Sequence, residues 1–451
     1  MVCFVLFVQL PLEKAIIWSL FGGYMLLPSE MNVDWPLLPP LDKVSITALA
    51  TLLCCWMKGT QIQRPPRSVL IYLLAFGLIV APILSSFDNS YELQEGAASI
   101  HGFYPLDGLK IAGRYVMLLI PLHIGRRFLS TDRARELLLK AVPTATLIYS
   151  LPMLFEVRMS PQLHQWVYGY FPGNNFVQQI RGNGFRPVVF FPHGLTLATF
   201  VAVAVIAAAV MMRAKGRIVK LVPNSAVVAY LSGLLVLCKS LGPGVYAAVF
   251  GPIALVTRPR FWVKIGCVAS LVVCAYPMLR HNDLAPTEII SNVTSKISPD
   301  REVSYQVRLL NEGQLLAKAE QKPLFGWGAW GRNRIHDKWT GQDISVTDGG
   351  WIIYFGVYGW FGYLCFFGLL AVSLFQAHAA MGKEVTRENI IRGGVALLLT
   401  VYVVDSIPNS PQEWLVFLLA GSLASVSAVR KRAPKRLIPA QTAHGEPALA
   451  K

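Results

Sequence analysis

The sequence predicts an all-α polytopic membrane protein with about twelve transmembrane helices, and three observations support this fold class. Hydrophobic residues make up 54% of the 451 residues and charged residues only 15%, whereas soluble domains carry about 25% charged residues. The charged residues collect in short clusters between long apolar runs. The basic clusters, in addition, fall in alternate loops. We therefore expect residues 1–451 to form a single integral membrane domain.

The apolar runs give the approximate positions of the transmembrane helices. Two of them, Val188–Met212 and Trp351–Phe375, contain no Asp, Glu, Lys or Arg. A helix of about 20 apolar residues crosses the hydrocarbon core of a bilayer, and its backbone groups are all hydrogen-bonded within the helix. The first span is short and can begin earlier, within Val2–Leu10, and no cleavable signal is predicted because a basic leader is missing. The predicted spans lie near residues 14–28, 44–57, 68–86, 108–129, 136–156, 187–212, 219–239, 241–257, 261–279, 349–376, 390–407 and 411–429.

The basic residues predict the orientation of the chain. They follow every even-numbered span, and this positive-inside pattern places both termini in the cytoplasm. The net charge of +16 is explained in this way, so nucleic-acid binding is not predicted. The loops 29–43, 87–107, 157–186 and 280–348 are then predicted to face outward. The cytoplasmic clusters are Lys58, Arg64 and Arg67; Arg126, Arg127, Arg133 and Arg135; Arg213, Lys215, Arg217 and Lys220; Arg258, Arg260 and Lys264; Lys383, Arg387 and Arg392; and a basic tail, 430–451.

The outer loop 280–348 is long enough to fold outside the bilayer. Within it, Glu302–Gln321 predicts a short helix near the membrane surface, which Pro323 ends. The following string, Gly326–Gly331, matches GxGxxG, but no strand precedes it and nucleotide binding is not predicted. No CxxC or HExxH pattern occurs, so we predict neither a metal site nor a cofactor.

Basic residues on the outer side run against the positive-inside bias, which makes them candidate anion ligands. Arg308 lies four residues before Glu312. This spacing fits an i,i+4 ion pair, and the planar guanidinium equally fits phosphate oxygens. Arg181 and Arg186 precede the sixth span, and Lys239 lies in the outer turn between the seventh and eighth spans.

The remaining candidates lie at or near the outer ends of spans. Arg114 shares a helical face with Lys110 in the fourth span, where a charge either reaches the surface or faces a cavity. His193 opens the sixth span and fits either a hydrogen-bonded packing residue or a base. Asp348 stands at the mouth of the tenth span, where a carboxylate can cap the helix and also serve as a base at the water boundary.

Several of these residues occur in segments that follow one another in a recognisable order. The segments are RGNGFRPVVFFPHG, KSLGPG, YQVRLLNEGQLLAKAEQKPLFGWGAWG and DGGWIIYFGVYGWFGYL. Together, over roughly residues 180–370, they resemble the bacterial O-antigen ligase and O-antigen polymerase superfamily of membrane glycosyltransferases. The resemblance implies transfer of a glycan from an undecaprenyl-diphosphate carrier to a hydroxyl acceptor at the periplasmic face of the inner membrane.

The resemblance also implies roles for individual residues. The family's diphosphate-binding arginines match Arg181 and Arg308, whereas a Ser-Arg pair of the family is replaced here by Lys239–Ser240. Asp348 stands where ligases carry a histidine. This departure favours a polymerase over a ligase that uses lipid A–core as acceptor. We expect a metal-independent, inverting transfer in which Asp348, or failing it His193 or His336, accepts the hydroxyl proton.

Other functional classes fit a protein of about twelve spans. A transporter or flippase usually carries its functional charges near the bilayer midplane and shows internal repeats, whereas the charges singled out here lie at the outer surface. A non-catalytic partner of other polysaccharide assembly proteins is the third possibility, which the missing histidine favours. The expected partners are the lipid-linked oligosaccharide, the lipid bilayer and other assembly proteins.

Overall fold

The computed structural model describes residues 1–33, 39–59, 68–173, 176–182, 184–297, 299–410 and 413–425, and this part of the chain is mostly helical. The basic tail 430–451 and the basic residues Arg64 and Arg67 lie outside the described residues.

The first half of the chain contains helices and one small hairpin. Its elements are α1 (Val2–Gln9), α2 (Leu12–Leu26), α3 (Lys43–Met57), α4 (Val69–Phe87), β1 (Leu93–Glu95), β2 (Ala98–Ile100), α5 (Pro105–Leu118), α6 (Ile120–Phe128), α7 (Asp132–Met159), α8 (Leu163–Tyr168), a 3₁₀ helix (Phe176–Gln179) and α9 (Gly194–Arg213). Strands β1 and β2 pair antiparallel, with Leu93 opposite Ile100.

The second half of the chain is helical wherever it has regular structure among the described residues. Its elements are α10 (Asn224–Leu237), α11 (Leu241–Val256), α12 (Pro259–His281), α13 (Thr287–Ile297), α14 (Pro299–Ala319), α15 (Gly350–Ala380), α16 (Arg387–Asp405) and α17 (Glu413–Ala424).

Each of the twelve predicted segments overlaps at least one of these helices. Among the described residues, five helices are long and apolar enough to cross a membrane, namely α4, α7, α9, α12 and α15. Helices α3, α10, α11 and α17 are apolar but shorter.

Prolines explain where the helices differ from the predicted spans. The first span is two helices, α1 and α2, which are separated at Leu10 and Pro11. The span near 108–129 is likewise divided into α5 and α6, and Pro121 occupies the first turn of α6, where its missing N–H leaves no helical hydrogen bond unmade. In the sixth span, Pro187 and Pro192 precede the helix, and α9 begins only at Gly194.

Helix α9 lies at the centre of the helical bundle. Nearly all of its side chains are buried, and it packs against α7, α10, α11 and α16. Small and β-branched residues fill most of its length, from Thr199 to Val210. Their short side chains let neighbouring helices approach closely, so that the N-terminal end of α9 is surrounded by the ends of other helices.

The helix predicted over Glu302–Gln321 is confirmed as α14, which is 21 residues long, and the large loop 280–348 also holds α13, which was not predicted. The loop also packs on the β1–β2 hairpin. Lys318 and His336 both contact the carboxylate of Glu95 in β1, and Ala97 N–H donates to the carbonyl of Lys338 at 3.0 Å. Two segments that are distant in sequence therefore form one folded unit.

A second contact joins the large loop to α15. Gly359 lies inside α15 with φ 59° and ψ −164°, so the helix is interrupted there. The freed N–H groups of Trp360 and Phe361 donate to the carbonyls of Pro323 and Leu324, at 2.7 and 3.1 Å. A Cβ at Gly359 would lie 2.5 Å from the Leu324 carbonyl. Glycine is needed here both for its conformation and for the close approach of two backbones.

Candidate functional site

Arg308, in α14, contacts Asp348, which precedes α15. The large loop and α15 are joined by the backbone hydrogen bonds of Pro323 and Leu324. The Nε atom of Arg308 lies 3.0 Å from Oδ2 of Asp348, and the two side chains are 45% and 37% exposed. Arg308 was expected to pair either with Glu312 or with an anion, and its ion-pair partner is Asp348. The expectation that Asp348 caps α15 was wrong, because the N-cap residue is Gly349.

Arg308 and Asp348 line a cavity of about 1040 Å³. Its walls come from the segment before α9, the α10–α11 turn, α14, the residues before α15, and the turn after α16. This volume is at the upper end of the range for small-molecule binding sites. The charged side chains in the lining are Arg181, Arg186, Lys239, Arg308, Asp348 and Asp405.

A tight turn before α9 positions the first two arginines. The N–H of Arg181 donates to the Gly184 carbonyl at 2.9 Å, and the N–H of Arg186 donates to the Gln179 carbonyl at 2.8 Å. Arg186 is only 5% exposed. A Cβ at Gly194 would lie 2.4 Å from Cδ of Arg186. The small residue at the start of α9 therefore leaves the space that the arginine side chain occupies.

Lys239 reaches the same wall from the α10–α11 turn. Its Nζ donates to the Arg181 carbonyl at 2.9 Å, which joins the α10–α11 turn to the segment before α9. Its φ is 50°, in the left-handed region. Non-glycine residues occupy this region at a cost in free energy, and such positions cluster at functional sites.

His193 caps α9 and lines the cavity. Its Nδ1 accepts a hydrogen bond from the N–H of Leu195 at 3.1 Å, and Nε2 lies 3.1 Å from Oε1 of Gln178. Because Oε1 can only accept, Nε2 carries the proton in this arrangement. Burial lowers the pKa of His193, and Arg186 and Arg181 lower it further. The residue is thus a neutral imidazole whose lone pair is already used, which weakens its candidacy as a base.

Two sequence-based candidates lie elsewhere. His336 is bonded to Glu95, with Nδ1 3.0 Å from Oε2, and does not line the cavity. Arg114 lines a separate cavity of about 180 Å³ with Glu413 and lies 4.0 Å from Asp42. The structure therefore brings together Arg181, Arg186, Lys239, His193, Arg308 and Asp348, but neither His336 nor Arg114.

Asp405 is a cavity residue that is absent from the sequence-based candidates. It ends α16, is 3% exposed and accepts a hydrogen bond from Nδ2 of Asn409 at 2.7 Å. The side chains of Tyr246 and Thr199 line the same part of the cavity. A lone carboxylate inside a predicted span is itself a signal of a functional position, and VYVVDSIPNS, at the end of the predicted span 390–407, carries that signal.

The charges of the lining favour an anionic ligand. Four cationic side chains face the cavity against two carboxylates, which leaves an excess of two positive charges while His193 is neutral. Arginine binds phosphate oxygens through two parallel N–H donors. Arg308 and Asp348 also remain in contact with water. The arrangement can bind a doubly charged anion and hold a carboxylate beside it.

Comparisons with known proteins give no match, either to a family model or to a curated protein. The resemblance to the O-antigen ligase and polymerase superfamily therefore rests on the motifs alone and stays a prediction.

Proposed function

We propose that this protein is a membrane glycosyltransferase that polymerises glycan repeat units linked to undecaprenyl diphosphate. The observation that carries the proposal is the cationic cavity, in which Arg308 lies 3.0 Å from a water-accessible carboxylate, that of Asp348. A diphosphate esterified at both ends carries two negative charges, and the lining has an excess of two positive charges.

The proposed setting is the bacterial inner membrane, with twelve spans and both termini in the cytoplasm. The five long apolar helices and the basic residues in alternate loops support this topology. In it the loop 280–348 and the mouth of the cavity face the periplasm, so that the diphosphate would lie at the level of the lipid headgroups. The lipid-linked oligosaccharide and the bilayer are the proposed partners, together with other polysaccharide assembly proteins.

The proposed reaction is a single displacement at the anomeric carbon of the donor sugar. The bond from this carbon to the phosphate oxygen breaks, and a bond to the acceptor hydroxyl oxygen forms with inversion. Arg308, Arg181, Arg186 and Lys239 stabilise the negative charge that develops on the leaving diphosphate. Asp348 accepts the hydroxyl proton and returns it to water, with which it is in contact. The guanidinium groups supply the positive charge that the reaction requires, so no metal is invoked.

The Arg308–Asp348 ion pair gives the order of these events. In the structure, the Asp348 carboxylate is bonded to Arg308. A bound diphosphate competes for the same guanidinium, because phosphate oxygens accept its donors bidentately. The carboxylate is then released where the acceptor hydroxyl arrives. An aspartate in the position of the ligase histidine favours polymerisation over ligation to lipid A–core.

The test uses a deletion strain that is complemented with wild type, Arg308→Ala or Asp348→Asn. Its lipid-linked glycans and its surface polysaccharide are then separated by size. We expect single repeat units without long chains in the deletion strain and in both variants. Arg334→Ala is the matched control, since Arg334 forms an ion pair of similar exposure with Asp343, at 2.6 Å, in the same loop and outside the cavity.

Each other outcome identifies a different function. Full-length chains that accumulate on the carrier would identify a ligase. Repeat units stranded on the cytoplasmic face would identify a flippase. Normal chain length and linkage in the deletion strain would refute a role in this assembly altogether.

A further inference from the structure

Glu312 lies behind the anion site on the same helix as Arg308. It follows Arg308 by one helical turn in α14, so the two side chains share a face, and it is absent from the cavity lining. Charged and titratable groups face it from α12, from α14 itself and from the start of α15. These groups are Tyr276, Arg280, Tyr305, Arg308 and Asp348, and the indole of Trp351 lies beside them.

The surroundings of Glu312 and Asp348 differ although both lie near Arg308. Asp348 is open to water and bonded to the guanidinium. Glu312 is largely enclosed, and burial raises its pKa to about 7, an effect that the positive charge of Arg280 opposes. Glu312 therefore changes its charge near neutral pH.

We propose that Glu312 is a positioning residue that sets how strongly Arg308 binds a diphosphate. When Glu312 is protonated, Arg308 has one carboxylate partner, Asp348, which the ligand displaces. When Glu312 is ionised, a second carboxylate attracts the guanidinium and adds negative charge behind the anion site. The identity of the ligand as a diphosphate rests on the proposed function.

The sign of the pH effect follows from linkage. A bound anion favours the neutral form of Glu312, so binding the anion and protonating Glu312 strengthen each other reciprocally. Affinity is accordingly highest below pH 7 and falls as the pH rises through the pKa of Glu312. If the bound anion raises that pKa by about one unit, affinity changes by about tenfold across the transition.

The experiment uses the purified full-length protein in detergent and measures the Kd of a short-chain prenyl diphosphate sugar at pH 6 and pH 8. Both phosphates of this probe are esterified, so the probe keeps its charge over that range. We expect wild type to bind about fivefold more weakly at pH 8, because the two pH values span only part of the transition. Glu312→Gln, which mimics the protonated side chain, is expected to bind equally well at both values and to match wild type at pH 6.

The control variant is Glu302→Gln. Glu302 lies on the same helix, ten residues earlier, or about 15 Å along the axis, and its replacement is expected to leave the pH dependence of wild type unchanged. A structural role of Glu312 would lower affinity at both pH values without changing their ratio. That result, or a wild-type Kd that is equal at pH 6 and pH 8, overturns the inference.

Two combinations of results distinguish a wrong role for Glu312 from a wrong function for the protein. Binding with the expected pH dependence, in a protein whose deletion leaves chain length normal, would support the role of Glu312 and refute the glycosyltransferase. If polymerisation requires Arg308 but binding is independent of pH, the glycosyltransferase would be supported and the role of Glu312 refuted. A wild type that does not bind the probe at either pH overturns both.

Discussion

Replacement of Arg308 by alanine separates the effect of its ion pair on stability from its effect on the reaction. The side chains of Arg308 and Asp348 are 45% and 37% exposed, and ion pairs this exposed contribute about 0.2–1 kcal/mol to stability. A preorganised donor that stabilises developing negative charge contributes far more to the reaction, about 2.7–4 kcal/mol. Arg308→Ala is therefore expected to slow glycan transfer by about 10²–10³-fold while the protein remains folded in the membrane.

Two measurements on the purified variant test this expectation. The first is the initial rate of transfer from a lipid-linked repeat unit, and the second is the thermal unfolding midpoint in detergent. Arg334→Ala should lower stability by a similar small amount, since its ion pair with Asp343 is 46% and 30% exposed, yet it should retain activity. Equal activity losses in the two variants, or full activity in Arg308→Ala, would refute the assignment of Arg308 to the leaving diphosphate.

Substitutions at Asp348, Gly359 and Asp405 test other parts of the protein. Asp348→Asn keeps the shape but removes the proton acceptor, so the transfer rate should fall by about 10²–10⁴-fold; an unchanged rate would exclude Asp348 as the base. Gly359→Ala places a Cβ 2.5 Å from the Leu324 carbonyl at a φ of 59°, and should lower stability by at least about 1–3 kcal/mol. Its control is Gly244→Ala, whose Cβ meets no atom within 4 Å and which should not lower the unfolding midpoint. Asp405→Ala leaves the Asn409 amide, which donates to this carboxylate at 2.7 Å, without its acceptor and should cost about 1–3 kcal/mol. Asp405→Asn should cost less in the same unfolding assay.

The sequence located the helices well because membrane insertion is a local property. A segment that is apolar over about 20 residues can form a lipid-exposed helix. This property depends on the segment alone, so no distant contact is needed to predict the helix. The run around α9 and the run around α15 were predicted in this way, although prolines move the start of α9 to Gly194. The interruption of α15 at Gly359 was not predicted, because its cause is a segment that precedes it by more than 30 residues and supplies the carbonyls of Pro323 and Leu324.

The candidate site was predicted in part. The sequence predicts basic residues in outer loops, against the positive-inside bias, and a carboxylate at the start of an apolar run. The structure brings Arg181, Arg186, Lys239 and Arg308 to one cavity with Asp348. Asp405 could have been predicted by the same reasoning, since it is a carboxylate in the predicted span 390–407.

The sequence by itself determined which segments are apolar helices and which residue types are available at their ends. Only the tertiary structure decided how those ends meet: that Arg308 pairs with Asp348, 40 residues away, that His336 instead bonds to Glu95, and that Arg114 faces a different cavity. The physical reason is that hydropathy depends on each residue and its neighbours in the chain. The partner of a charged group depends on which distant segments pack beside it, and no local sequence pattern predicts that packing.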